Sequence, residues 1–204
     1  MSFVEDLKKR RSHYALSRKV DVTDDTLVEV IKEVVRYSPS AFNSQSSRAV
    51  ILLNDQVSTF WNDLVANTLE SVMKAKGASE EALAATKAKL NSFSKSKGTI
   101  LLFEDQDVIK NLQEQFPPYA ENFPDWSEQS TGIVSVNIWT TLSAEFGLGA
   151  NLQHYNPVID DQVAKRYAVP TSWKLRGQLN FGNIEAEPHP KDFIKDDNRF
   201  KVFA

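Results

Sequence analysis

Ala49-Val50-Ile51-Leu52-Leu53 and Thr99-Ile100-Leu101-Leu102-Phe103 are two short, unbroken apolar runs, and the fold turns on them. Neither alternates with polar residues, so both predict strands buried on two faces of a sheet. Such strands need a layer on each side, and the flanking segments predict helices. Thr23 predicts the cap of a helix with Asp24 and Asp25 in its first turn and Leu27, Val30, Ile31 and Val34 on one face. That helix should stop near Tyr37, because Ser38 precedes Pro39 and is pushed out of the α region. Residues 2–11 read as a short helix with a basic end, Lys8-Lys9-Arg10-Arg11. Residues 55–76 and 79–92 predict helices broken around Gly77, with the Lys, Glu and Ala content of solvated faces, and 107–115 a short one.

The second half continues the alternation. Residues 116–126 place Phe116, Tyr119, Phe123 and Trp126 among three prolines, which predicts a loop or lid rich in aromatic surface. Residues 127–146 predict a long helix, apolar on every side and therefore buried, with Gly132, Ser135, Ser143 and Ala144 allowing close neighbours. Ala150 to Gln153 predicts a strand, and 160–167 a helix begun by Asp160 and Asp161. Residues 173–181 alternate Trp173, Leu175, Leu179 and Phe181 with Lys174, Arg176, Gln178 and Asn180, which predicts a half-buried strand. The tail, about 185–204, is charged yet carries Phe193, Phe200, Val202 and Phe203, so it is expected to dock on something. The whole of 1–204 reads as one domain of helices and strands, α+β or α/β.

Composition excludes several classes. The 204 residues carry a formal net charge of −3, which is no footprint for nucleic acid. No apolar run is long enough for a membrane span, and the N-terminus lacks the apolar stretch of a signal peptide, so a cytoplasmic location is expected. With no cysteine there is no disulfide and no thiol nucleophile. His13, His154 and His189 stand far apart without a metal-ligand spacing, and no metal is expected. No G-x-S-x-G elbow and no glycine-rich phosphate loop occur, so any phosphate must be held by side chains.

Three constellations carry chemistry. Arg10-Arg11-Ser12-His13-Tyr14 offers two guanidiniums and a hydroxyl, a suitable clamp for phosphate oxygens, although a basic helix end also complements the helix dipole. Ser38-Pro39-Ser40-Ala41-Phe42-Asn43-Ser44-Gln45 sets hydroxyls and amides between a helix and a strand, suited to the edge of a planar heterocycle or to an ordinary turn. Asn151-Leu152-Gln153-His154-Tyr155-Asn156-Pro157 closes a strand, where His154 is either a hydrogen bonder near a ring or a satisfied strand-end histidine.

Together these segments resemble the flavin-dependent nitroreductase family. Arg10-Arg11-Ser12 looks like its R-x-S phosphate motif, and Ser38-Pro39-Ser40-x-x-Asn43-Ser44-Gln45 looks like its S-P-S-x-x-N-x-Q loop. The R-R-S-x-Y start and the L-Q-H-Y-N strand end resemble the family's short branch. The resemblance implies an α+β fold, a mixed sheet wrapped by helices, in an intertwined homodimer with FMN at the interface. It implies that Arg10 and Ser12, with Arg199, hold the phosphate and ribityl end of FMN, while Arg11 adds backbone or side-chain contacts. Pro39, Ser40, Asn43 and Gln45 would come from the partner subunit, Gln153, His154 and Tyr155 would lie against the isoalloxazine, and Asn91 is the candidate amide at the ring edge. Tyr14 stands where a lysine commonly contacts the flavin, His154-Tyr155 replaces a frequent Glu-Gly pair, and Gln45 is followed by Ser46-Ser47 rather than Pro-Trp.

The activity implied is an FMN-dependent NAD(P)H oxidoreductase with ping-pong kinetics, acting on nitroaromatic or quinone-like acceptors. The chemistry sits on FMN, so no catalytic side chain of the protein's own is required. Phe42, Phe116, Tyr119, Phe123 and Trp126 are expected to wall the pocket for flat acceptors. The alternatives are a flavin-binding regulatory or stress-response protein whose turnover is incidental, and a cofactor-free interaction domain.

Overall fold

The computed structural model describes residues 2–204. Its strands are β1 (Leu16–Ser17), β2 (Ser47–Leu53), β3 (Gly98–Asp105), β4 (Gly149–Gln153) and β5 (Trp173–Ile184). Its helices are α1 (Phe3–Lys9), α2 (Asp24–Tyr37), α3 (Asp55–Ser58), α4 (Ala66–Ala75), α5 (Glu80–Phe93), α6 (Gln106–Gln115), α7 (Phe123–Phe146) and α8 (Asp160–Tyr167), with a π-helical segment, Thr59–Val65, joining α3 to α4. β5 is the central strand: it pairs with β3, β4 and β1, and β2 lies at the edge beside β3. All these ladders are antiparallel, so the parallel component of the expected mixed sheet is one isolated bridge, Ser12 to Ala150.

Strand β3 shows why its run has no polar residue. Leu101 and Phe103 face a cluster containing Phe60, Trp61, Val65, Leu90, Phe93 and Val163, whereas Ile100 and Leu102 face one containing Leu27, Ile31, Val134, Ile138 and Leu142. Helices α2 and α7 therefore cover one face, and the π segment, α5 and α8 the other. Strand β2 sends side chains to both clusters too, but its edge position leaves only Leu52 sealed. Thr23 caps α2 by accepting from Thr26 N, and Ser38 leaves the helix in extended backbone ahead of Pro39.

Three expectations are corrected. The half-buried strand is covered on both faces: Lys174 is exposed, but Gln178 and Asn180 are fully buried because neighbouring amides satisfy them. The long helix starts at Phe123, since Pro124 in its first turn needs no N–H partner, so Phe123–Trp126 is helix and not loop. That helix is not sealed all round in one chain, as Val136 and Gly132 are exposed. The tail carries one short turn, Asp196–Asn198, and leaves Val202 at 86% and Phe203 at 92% exposure.

Candidate functional site

The N-terminal motif follows α1 directly. Arg10 caps that helix, and the chain then runs beside β4, where Ser12 bridges Ala150 and His13 N donates to Ala150 O at 2.9 Å. The close approach is possible because Gly149 has no side chain: a Cβ there would lie 2.8 Å from His13 Cβ. Arg10, Arg11, Ser12 and Tyr14 line a cavity of about 460 Å³, with Glu187, His189 and Lys191 of the tail on its other side. Arg10 stacks its guanidinium on Trp139, 4.6 Å from the ring centroid, and Arg11 donates to the His189 carbonyl at 2.5 Å. Burial, and after it the like charge of Arg11, pushes the Arg10 guanidinium down from its ordinary value. Among the described residues neither arginine has a carboxylate partner within ion-pair distance. Two adjacent cations beside a hydroxyl, neither ion-paired with a carboxylate, suit the phosphate of a cofactor such as FMN.

The strand end lies next to this motif through hydrogen bonds. Asn151 Nδ2 donates to the His13 carbonyl at 2.7 Å, and Gln153 Nε2 donates to Asn151 Oδ1 at 2.9 Å. Tyr155 is anchored from below: its N–H donates to Gln178 Oε1 at 2.8 Å, and its ring meets Trp61 edge-on at 5.5 Å. Burial pushes the Tyr155 phenol up. His154 between them is exposed.

The second loop is a separate constellation in one chain. Phe42, Asn43 and Gln45 have φ of 57°, 51° and 49°, the left-handed region that non-glycine residues seldom adopt. Gln45 N donates to Ser40 Oγ at 3.0 Å and Arg48 Nη1 to Gln45 O at 2.5 Å, which hold that conformation. Below it, Ser46 and Ser47 donate to the Glu104 carboxylate at 2.6 Å each, and Thr131 of α7 donates at 2.9 Å. Glu104 is fully buried, and burial pushes its carboxyl up despite these donors. Pro39, Ser40 and Phe42 line a cavity of about 450 Å³ with Trp126, Gln129 and Ile133.

The aromatic residues converge. Phe42 lies 4.9 Å from Phe116, 5.7 Å from Tyr119 and 5.3 Å from Phe123, and stacks on Trp126 at 5.9 Å and 18°. Two residues stand apart from both cavities. Asn91 is on the exposed face of α5 and accepts from Ser94 Oγ through its backbone carbonyl at 2.9 Å. Arg199 is exposed on the tail with its guanidinium over Phe200, and Lys191 is the tail cation lining the Arg10 cavity. Sequence alone gives no indication of Glu104 or Trp61, includes Asn151 in the strand-end constellation without a role, and reads Asn180 as solvent-facing. A usable signal was present: amides recur two apart in both β4, at Asn151 and Gln153, and β5, at Gln178 and Asn180.

An antiparallel sheet between two helical layers, with a basic cleft beside one strand end, defines a nitroreductase-like α+β protein. The nitroreductase family matches residues 7–183, and the chain belongs to that family. Nitroreductase CinD from Lactococcus lactis, solved in complex with nicotinic acid, has a TM-score of 0.91 and 54% identity, with 100% of both chains covered. The same protein has been solved with chloramphenicol and with 4-nitrophenol. Nitroreductase FRM2 of Saccharomyces cerevisiae is 32% identical over 200 residues, covering 96% of this chain and 94% of its own. A protein of Exiguobacterium sibiricum, solved in complex with FMN, shares the fold at TM-score 0.71 and 15% identity, covering 100% of this chain and 98% of its own.

Proposed function

We propose that the protein is an FMN-dependent NAD(P)H oxidoreductase that reduces nitroaromatic or quinone-like acceptors as a homodimer. The observation that carries this reading is the pair of guanidiniums, Arg10 and Arg11, facing a cavity without a carboxylate partner and tied through His13 and Asn151 to the strand-end amide of Gln153. FMN, when bound, supplies the redox chemistry by taking up a hydride and passing the electrons on. The protein's own residues bind and orient. Arg10, Arg11 and Ser12 hold the phosphate, with Arg199 as a further tail cation. Gln153, His154 and Tyr155 set the ring, the partner's Pro39, Ser40, Asn43 and Gln45 complete it, and Asn91 is assigned a ring-edge contact.

With FMN held there, NAD(P)H and then the acceptor would occupy the same space, which predicts ping-pong kinetics. The complexes of the Lactococcus protein support this, since nicotinic acid has the ring of a nicotinamide and 4-nitrophenol is a nitroaromatic. The cluster of Phe42, Phe116, Tyr119, Phe123 and Trp126 suits flat acceptors. The exposed apolar residues of the tail and of α7 support a partner copy that covers them.

The purified protein should show flavin absorbance, oxidise NADH or NADPH with 4-nitrophenol or a quinone, and give parallel double-reciprocal plots. Sedimentation at low micromolar concentration should give a dimer. A colourless protein that takes up no FMN would overturn the reading, and a monomer that holds FMN would overturn its dimeric part.

A further inference from the structure

Asn151 lies in β4 with 1% of its surface exposed, and it joins two parts of the site that are far apart in sequence. Its Nδ2 donates to the His13 carbonyl at 2.7 Å. Its Oδ1 accepts from Gln153 Nε2 at 2.9 Å and from Asn180 Nδ2 at 3.1 Å. Groups that cannot reverse their role set the direction of each bond. The Trp61 indole N–H only donates, so Asn180 turns its oxygen to it, 2.9 Å away, and its nitrogen to Asn151. At the other end the His13 carbonyl only accepts, so Asn151 turns its nitrogen there. Both ends demand one orientation of Asn151, with its oxygen towards Gln153. Gln153 must then donate inward, and its Oε1 is left over: it has no hydrogen bond among the described residues and is not sealed from solvent.

We propose that Asn151 is a positioning residue for both ends of the cofactor site. Through His13 it holds the backbone of the Arg10-Arg11-Ser12 motif, and through Gln153 it turns a carboxamide oxygen outward to accept from an N–H of a bound planar ring. This rests on the reading of the site as one for FMN. The motif has few ties to β4: the Ser12 bridge, which the bond from His13 N to Ala150 O helps to form, and the Asn151 bond. Losing one of them frees two guanidiniums that must meet phosphate oxygens in a defined geometry. The Gln153 oxygen can bond only to a donor, and an imide-containing ring such as isoalloxazine offers one.

The test compares FMN with riboflavin, which keeps the ring and ribityl chain but lacks the phosphate, by fluorescence titration of apoprotein. Asn151→Asp keeps an acceptor for Gln153 and Asn180 but sets an oxygen against the His13 carbonyl. FMN affinity should fall about tenfold and riboflavin affinity by less than about twofold. Gln153→Met removes the ring contact and should weaken both flavins equally, by about three- to tenfold. If thermal melting shows that Asn151→Asp does not fold, Asn151→Ser, too short to reach either His13 or Gln153, should weaken both flavins, and FMN by clearly more than riboflavin. Equal losses of both flavins in the Asn151 variant, or unchanged FMN affinity, would overturn the link to the phosphate motif, and a neutral Gln153→Met would overturn the ring contact. Failure of the unsubstituted protein to bind either flavin would instead overturn the FMN reading itself.

Discussion

With FMN bound as proposed, Gly149→Ala should weaken its binding indirectly, through packing against His13. The added Cβ would lie 2.7 Å from Ile184 Cγ1, 2.8 Å from His13 Cβ and 3.0 Å from His13 Cγ, all short of the 3.4 Å at which ordinary contact begins. Ile184 is half-buried at the end of β5, so its side chain has room to move. His13 has little: it is buried, its N–H is bonded to Ala150 O, and its carbonyl accepts from Asn151. Overpacking of this kind costs about 1–3 kcal/mol, and the lower entropy of an unfolded chain with alanine returns about 0.4–1 kcal/mol. A net loss of about 1–2 kcal/mol is expected, read from urea unfolding of the apoprotein. What strain remains is passed along the backbone to Ser12 and Arg10, so FMN affinity should fall as well. Unchanged stability together with unchanged FMN affinity would refute the claim that the motif is held by close packing on β4.

Arg10→Ala should weaken FMN binding by about 10–150-fold, the worth of a charge-assisted hydrogen bond, in titrations of apoprotein, while losing only about 0.5–1 kcal/mol of stability from the contact with Trp139. Glu104 makes a pH-dependent prediction. Its carboxyl is raised in the fold, chiefly by burial, so the group binds its proton more tightly folded than unfolded, and its ionisation costs stability as pH rises from its unfolded value through its folded one. Glu104→Gln lacks that slope, so denaturant midpoints from pH 4 to 8 should shift in favour of the variant as pH rises; parallel curves would contradict the assignment. His154→Gln should lower the rate of each half-reaction in stopped flow by much less than the 10²–10⁴-fold typical of a lost general acid or base, because the exposed side chain is assigned to setting the ring and not to proton transfer. A thousandfold loss confined to acceptor reduction, with FMN still bound, would make it the proton donor.

Local signals in the chain were enough for most elements and for the motifs. Thr23 and Pro39 bound α2 because capping and proline sterics act within a few residues. The apolar runs of β2 and β3 announce a sheet with a layer on each face, since a side chain sealed on either side of a strand cannot be polar without a partner. Alternation failed at β5 for the converse reason. Gln178 and Asn180 read as solvent-facing, but they are buried because Asn156, Tyr155, Asn151, Thr99 and Trp61 supply their hydrogen bonds from other elements. Those partners lie between 22 and 119 residues away, beyond any pattern read along the chain. The meeting of Arg10-Arg11-Ser12 with the β4 strand end has the same origin: it needs a glycine at 149, and that glycine's role is visible only when His13 is seen against it. Residue chemistry along the chain therefore names a candidate phosphate clamp and a set of amides, while packing decides which amide faces which, through donors and acceptors that cannot exchange roles.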